Sequence, residues 1–103
     1  MVKIVLSKTA RFDLKEIVDY IKRDSLKYAN LEKKKIEDAI NKLPKQPLSG
    51  RVVPELNNEN LRELLFRNYR IIYEIIPDKQ INILTIHHHA RLVSNNPAFK
   101  DEE

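Results

Sequence analysis

The chain has no cysteine, no tryptophan and a single glycine, Gly50, in 103 residues. Without cysteine there is neither a disulfide framework nor a thiolate metal site. With one glycine there is no glycine-rich loop to cradle a phosphate, and no spacing identifies a Ser/His/Asp triad. The apolar runs are far too short to span a bilayer, and no secretory leader precedes Ser7, so the expected location is cytoplasmic, with no membrane partner. No repeat appears, and low complexity is confined to a polar tail. A lone glycine is expected where φ is positive, because other residues avoid that conformation.

What is present is charge. The net charge is +4, and residues 92–103 hold one lysine and three acids, so residues 1–91 carry +6. A basic body with an acidic tail suits an anionic partner. The length is that of one domain, able to bury roughly two-thirds of its unfolded surface. We assign residues 1–91 to that domain and residues 92–103 to a polar, partly disordered tail.

In order, Val2–Leu6 is a short apolar strand. Ser7 and Thr9 are both candidate caps for a following helix, in which Ala10, Leu14, Ile17, Val18 and Ile21 form one apolar stripe. Asp24–Ser25 breaks and caps again. A second helix runs to about Leu43, with Ala29, Ile36, Ala39, Ile40 and Leu43 as its inner face. Its Lys33–Lys34–Lys35 run reads as a solvated face or as a nucleic-acid contact. Pro44 ends it. Pro44–Asn60 is expected to be irregular. Leu61–Arg67, Arg70–Ile76 and Ile81–His89 then form an antiparallel meander, broken at Arg67–Asn68 and at Pro77–Asp78–Lys79–Gln80. The fold class is α+β: a strand, a helical hairpin and a three-stranded meander, forming one sheet with helices on one face.

The second turn sets a register. If Ile76 pairs with Ile81, Ile72 faces Thr85 and Arg70 faces His87. Arg70, Ile72, Glu74, Ile83, Thr85, His87, His89 and Arg91 then share an open face. Ile71, Tyr73, Ile75, Leu84 and Ile86 face the helices. A slip of one residue inverts the assignment.

Arginine supplies a fixed charge and a planar fork for phosphate, and histidine moves protons near neutral pH. Arg70, His87, His89 and Arg91 on one face would supply what RNA cleavage through a 2′-oxygen needs. Equally, the histidines could cap a strand end. His87 and His89 offer two metal ligands, but no acid is placed to complete a site, and we expect no metal and no cofactor. Arg62, Arg67 and Tyr69 are candidates for contacting nucleic acid. Tyr69 and Phe66 either stack on bases or pack the edge of the core.

The pieces LSKTARFDLKEIVDYI, LPKQPLSGRVVPEL, LRELLFRNYRIIYEI and ILTIHHHAR, in this order and spacing, resemble the RelE/ParE superfamily of toxins from bacterial type II toxin–antitoxin modules. The long helical hairpin and the HHAR ending look more like the ParE branch, linked to plasmid stabilisation. The resemblance implies a growth-inhibiting toxin that forms a hetero-oligomer with a cognate antitoxin. RelE-type relatives cleave ribosome-bound mRNA without a metal, and two functional arginines of that branch fall on Arg70 and Arg91. No tyrosine follows Arg91, where that branch has one, and some relatives use histidine instead. The motif match points to His88, whereas strand parity selects His87 and His89. ParE-type relatives block DNA gyrase and are not nucleases. Three readings therefore stand: an mRNA endoribonuclease, a non-enzymatic gyrase inhibitor, and an inactive relative that only binds the antitoxin.

Overall fold

The computed structural model describes residues 2–88. The order is β1 (Lys3–Leu6), α1 (Lys8–Lys22), α2 (Leu26–Asn41), β2 (Arg51–Val52), β3 (Leu61–Phe66), β4 (Tyr69–Ile76) and β5 (Gln80–His88). The sheet has the order β1-β5-β4-β3-β2, with β1 parallel to β5 and the other pairs antiparallel. The α+β architecture is therefore as read from the sequence. The 44–60 connector, expected to be irregular throughout, contributes the short edge strand β2. No helix among the described residues is long and apolar enough to cross a membrane.

Local chemistry explains the helix limits. The Ser7 hydroxyl accepts from the Ala10 N–H at 3.0 Å, and the Ser25 hydroxyl from the Tyr28 N–H at 3.2 Å. Each satisfies one donor that the first helical turn leaves unpaired. Ser7, not Thr9, is thus the first cap. The apolar stripes of both helices meet one face of the sheet. Ala10, Leu14, Ile36, Ile40 and Leu43 cluster there with Ile71, Tyr73, Ile81, Ile83 and Ile86. Leu64, Phe66 and Tyr69 pack against the same cluster, so the two aromatics belong to the core edge.

The β4–β5 register differs from the expected one at the turn. Ile76 pairs with Gln80 and Ile75 with Ile81. Pro77, Asp78 and Lys79 close the hairpin, with Asp78 at φ 62° and the Lys79 N–H bonded to the Ile76 carbonyl at 3.0 Å. A Pro then a positive-φ residue is type II turn chemistry, and it needs one residue fewer than expected. A bulge in β5 then absorbs the difference between the Tyr73–Ile83 and Ile72–Thr85 pairs. Beyond it the expected pairs return: Ile72 with Thr85, and Arg70 with His87. The slip puts Ile83, completely buried, in the core, and leaves Leu84 outside the core cluster. Ile83 thus takes the place in the core that was expected of Leu84.

Residues from α1 and its cap stabilise the bulge. The Ser7 hydroxyl donates to the Leu84 carbonyl at 2.7 Å, and the Ser7 N–H to the Ile83 carbonyl at 2.9 Å. Asp13 Oδ2 accepts from the Thr85 hydroxyl at 2.5 Å and the Ile86 N–H at 3.0 Å. Asp13 thus continues the edge of β5 beyond the point where β1 ends.

Gly50 does not have a positive φ. Space, not backbone freedom, explains it. A Cβ there would lie 2.6 Å from both the Glu63 carbonyl oxygen and the Tyr73 hydroxyl. That hydroxyl accepts from the Gly50 N–H at 3.0 Å and donates to the Pro47 carbonyl at 2.6 Å. Tyr73 therefore pins the connector to the sheet, and its burial pushes its pKa up.

Candidate functional site

The sheet face away from the helices is not open. The connector crosses it, and Val53 and Leu56 pack on Ile72 in a small second core. The Val53 N–H bonds to the Leu61 carbonyl at 3.1 Å, and the Leu56 and Asn57 N–H groups both bond to the Val53 carbonyl at 3.1 Å. The resulting turn places Glu55 above β4.

Beneath this turn lies Arg70, only 7% exposed rather than on an open surface. Its Nη1 and Nη2 each donate at 3.0 Å to an oxygen of Glu55, a planar fork on a carboxylate. Its Nε donates at 2.5 Å to Glu63, and its Nη2 also pairs with that carboxylate. Glu63, with a fully buried side chain, accepts in addition from Arg51 Nε at 2.6 Å. Two arginines and two glutamates form one neutral network. The bond to Glu55, then that to Glu63, raises the pKa of Arg70 against the opposing effect of burial. The bond to Arg70 holds Glu55 below the usual glutamate range, against its partial desolvation.

The other candidate residues divide between the sheet's two faces and its edge. His87 is paired with Arg70 across the strands and is 2% exposed. His88 pairs with Tyr69. His89 and Arg91 lie outside the described residues. Arg62, on the helix-side face with Tyr73, is committed to backbone: Nη1 to the Gly50 carbonyl at 3.0 Å and Nε to the Glu59 carbonyl at 3.1 Å. Arg67 bonds Glu32 at 2.8 Å and lies over the Phe66 ring. Burial, then the Glu32 charge, raises the Tyr69 pKa. The geometry thus brings Arg70 and His87 together as expected, but covers both.

Glu63, Glu55 and Arg51 were missed in the sequence. Glu63 had a detectable signal: it is an acid inside the apolar run LRELLF, on the strand face shared with Arg70. Glu55 had none, because its position depends on a turn in an irregular connector.

A second feature lies at the β3 edge. β2 pairs only with Arg62 and Glu63, and an open groove of about 520 Å³ continues beyond it between α2 and β3. Leu64, Leu65 and Phe66 form its apolar wall, and Lys35, Lys42 and Arg67 lie along it with Asp38. On the helical hairpin, Phe12, Tyr20 and Tyr28 are each at least 60% exposed.

Residues 4–93 match the family described as ParE toxin of type II toxin-antitoxin system, parDE. The chain belongs to the ParE toxin family. Among solved structures, it is similar to one described as "Chromosomal ParDE TA system from P. aeruginosa", at 23% sequence identity and a TM-score of 0.69, covering 85% of this chain and 96% of that one. The likeness shows a shared ParE-like fold. No curated protein matches the chain.

Proposed function

We propose that this ParE toxin stops growth as a binding protein that blocks DNA gyrase, and not as a ribonuclease. The closed state of Arg70 carries this reading. Cleavage through a 2′-oxygen requires a cation open to the phosphate and a proton carrier open to the sugar. Here the Arg70 fork is filled by Glu55 and Glu63, and His87 is buried beside it. In this reading Arg70 organises the sheet and Glu63 rather than holding substrate. Arg62, Arg67 and Tyr69 are likewise structural, tying the connector and α2 to the strands.

A protein target needs exposed anchors instead, and aromatic side chains are the most effective ones. Phe12, Tyr20 and Tyr28 on the helical hairpin supply them. The cognate antitoxin neutralises the toxin in a cytoplasmic hetero-oligomer. The α2–β3 groove, apolar along β3 and mostly basic along its rim, suits an acidic amphipathic segment of that partner.

The test is to induce the protein in growing cells and follow labelled precursors into DNA and into protein. DNA synthesis should stop first, with gyrase-dependent breaks. An early stop in translation with cut mRNA would overturn the proposal in favour of the nuclease.

A further inference from the structure

The solvent side of α1 is divided by charge. Lys8, Arg11, Lys15 and Lys22 recur at helical spacing and fall within an arc of about 60° around the axis. Each of them is exposed. The acids of the helix, Asp13, Glu16 and Asp19, lie off this stripe. Asp13 is committed to Thr85 and Ile86 on β5. Asp19 reaches back to Lys15 at 3.8 Å, but both side chains are mostly in solvent, so the pair neutralises little. A helix face that is merely solvated interleaves the two signs, whereas this one segregates them.

The stripe continues on α2. Lys33 lines the same interhelical crevice, of about 310 Å³, as Arg11 and Lys15, with Glu37 beside it. Lys27 and Lys34 are exposed next to it. The Lys33–Lys34–Lys35 run is therefore split: Lys33 turns toward α1, and Lys35 toward the β3 groove. Among the described residues, Arg11, Lys22, Lys33 and Lys34 form no ion pair.

The shape of this patch selects its ligand. From Lys8 to Lys22 the stripe runs about 21 Å along the helix axis. A duplex presents one phosphate charge per roughly 1.7 Å, so a straight row of exposed cations meets several phosphates at once. A membrane surface is the poorer match, because a helix that lies in a bilayer needs an apolar face to insert. Here the apolar faces of both helices are taken up by the core. We infer that the outer crevice of the helical hairpin binds the phosphodiester backbone of duplex DNA. The role of this surface rests on the gyrase reading: gyrase works on DNA, so the hairpin sets its aromatic anchors on the enzyme and its basic stripe on the DNA that the enzyme holds.

The test measures anisotropy of a short labelled duplex DNA titrated with the full chain at several salt concentrations. Affinity should fall as salt rises, with a log–log slope of about −0.9 per phosphate contact, or roughly −3 to −4 for the α1 stripe alone. Arg11→Gln/Lys15→Gln should reduce that slope by about 2, one for each residue. It should also weaken binding about tenfold or more at about 0.1 M salt. Lys3→Gln/Lys79→Gln removes the same charge from the turn end of the sheet and should leave the slope unchanged. Should Arg11→Gln/Lys15→Gln fail to fold, Lys22→Gln/Lys34→Gln serves the same comparison. An equal loss in the stripe and sheet variants would make net charge the whole cause and overturn the inference. Tighter binding to duplex RNA, or to vesicles of phosphatidylserine and phosphatidylcholine, would overturn it too. In a supercoiling assay the stripe variant should inhibit gyrase more weakly than the wild type, and the gap should close as salt rises. DNA binding without inhibition would sink the gyrase reading and leave the stripe. Inhibition by a protein that shows no DNA binding would do the reverse.

Discussion

Replacing Arg70 by alanine should unfold the protein readily, and the network explains how much. The side chain is 9% exposed and neutralises Glu63, whose side chain is fully buried. Removing it leaves Glu63 paired with Arg51, whose side chain is mostly in solvent. Truncating one partner of a buried ion pair costs about 3–5 kcal/mol, because the surviving charge is desolvated without compensation. An exposed arginine would cost within about 0.5 kcal/mol. The two values are far enough apart to decide by urea unfolding, followed by circular dichroism, with a shift in midpoint at constant slope. A double variant, Arg70→Met with Glu63→Leu, should recover much of the loss, since apolar replacements of both partners avoid the desolvation penalty. Glu55→Ala should cost far less, within about 1 kcal/mol, because that pair is partly solvated. An Arg70→Ala variant as stable as the wild type would refute the reasoning. It would return Arg70 to the role of a surface group available for chemistry.

Other outcomes follow from the same geometry. Gly50→Ala should destabilise by about 1–3 kcal/mol, because its Cβ meets the Glu63 carbonyl and the Tyr73 hydroxyl, and thermal melts will show it. Combining it with Tyr73→Phe should not add fully, since both changes disturb one contact. Asp13→Ala should cost about 1–3 kcal/mol by removing the carboxylate that accepts from the Thr85 hydroxyl and the Ile86 N–H, and amide exchange at Ile86 should speed up. The Glu55 pKa is lowered in the folded protein, so the stability it adds is fully present above its ordinary value of 4.5 and is lost as pH falls through the lowered one. The stability difference between the wild type and Glu55→Gln should therefore shrink toward zero in that acid window and be constant near neutrality.

Most of the fold was legible because it is written in local periodicity. The apolar stripes, Ser7, Ser25 and Pro44 placed the helices, and alternating Ile and Tyr placed β4 and β5. The register was harder, because a three-residue turn and a bulge are two shifts of one residue that cancel. Arg70 therefore faces His87 as expected, while Ile83 and not Leu84 enters the core between them. Gly50 misled because a glycine signals either a backbone angle or a lack of space, and only the neighbour Tyr73 decides. The site was half legible. Arg70 stands in β4, where parity finds it, whereas Arg51 stands in β2, inside the connector expected to be irregular. The carboxylate that closes it comes from residue 55 in the connector, and no period relates that position to Arg70. The surroundings of Arg70, read as open and basic, are covered and neutral for that reason.

The central claim, that this ParE toxin acts by binding gyrase, is tested most directly with purified components. The protein should inhibit supercoiling of relaxed plasmid by DNA gyrase in proportion to its concentration, and an Arg70→Met/Glu63→Leu variant that folds should inhibit as well as the wild type. In a parallel translation reaction the mRNA should stay intact. Unimpaired supercoiling together with cleaved mRNA would contradict the account.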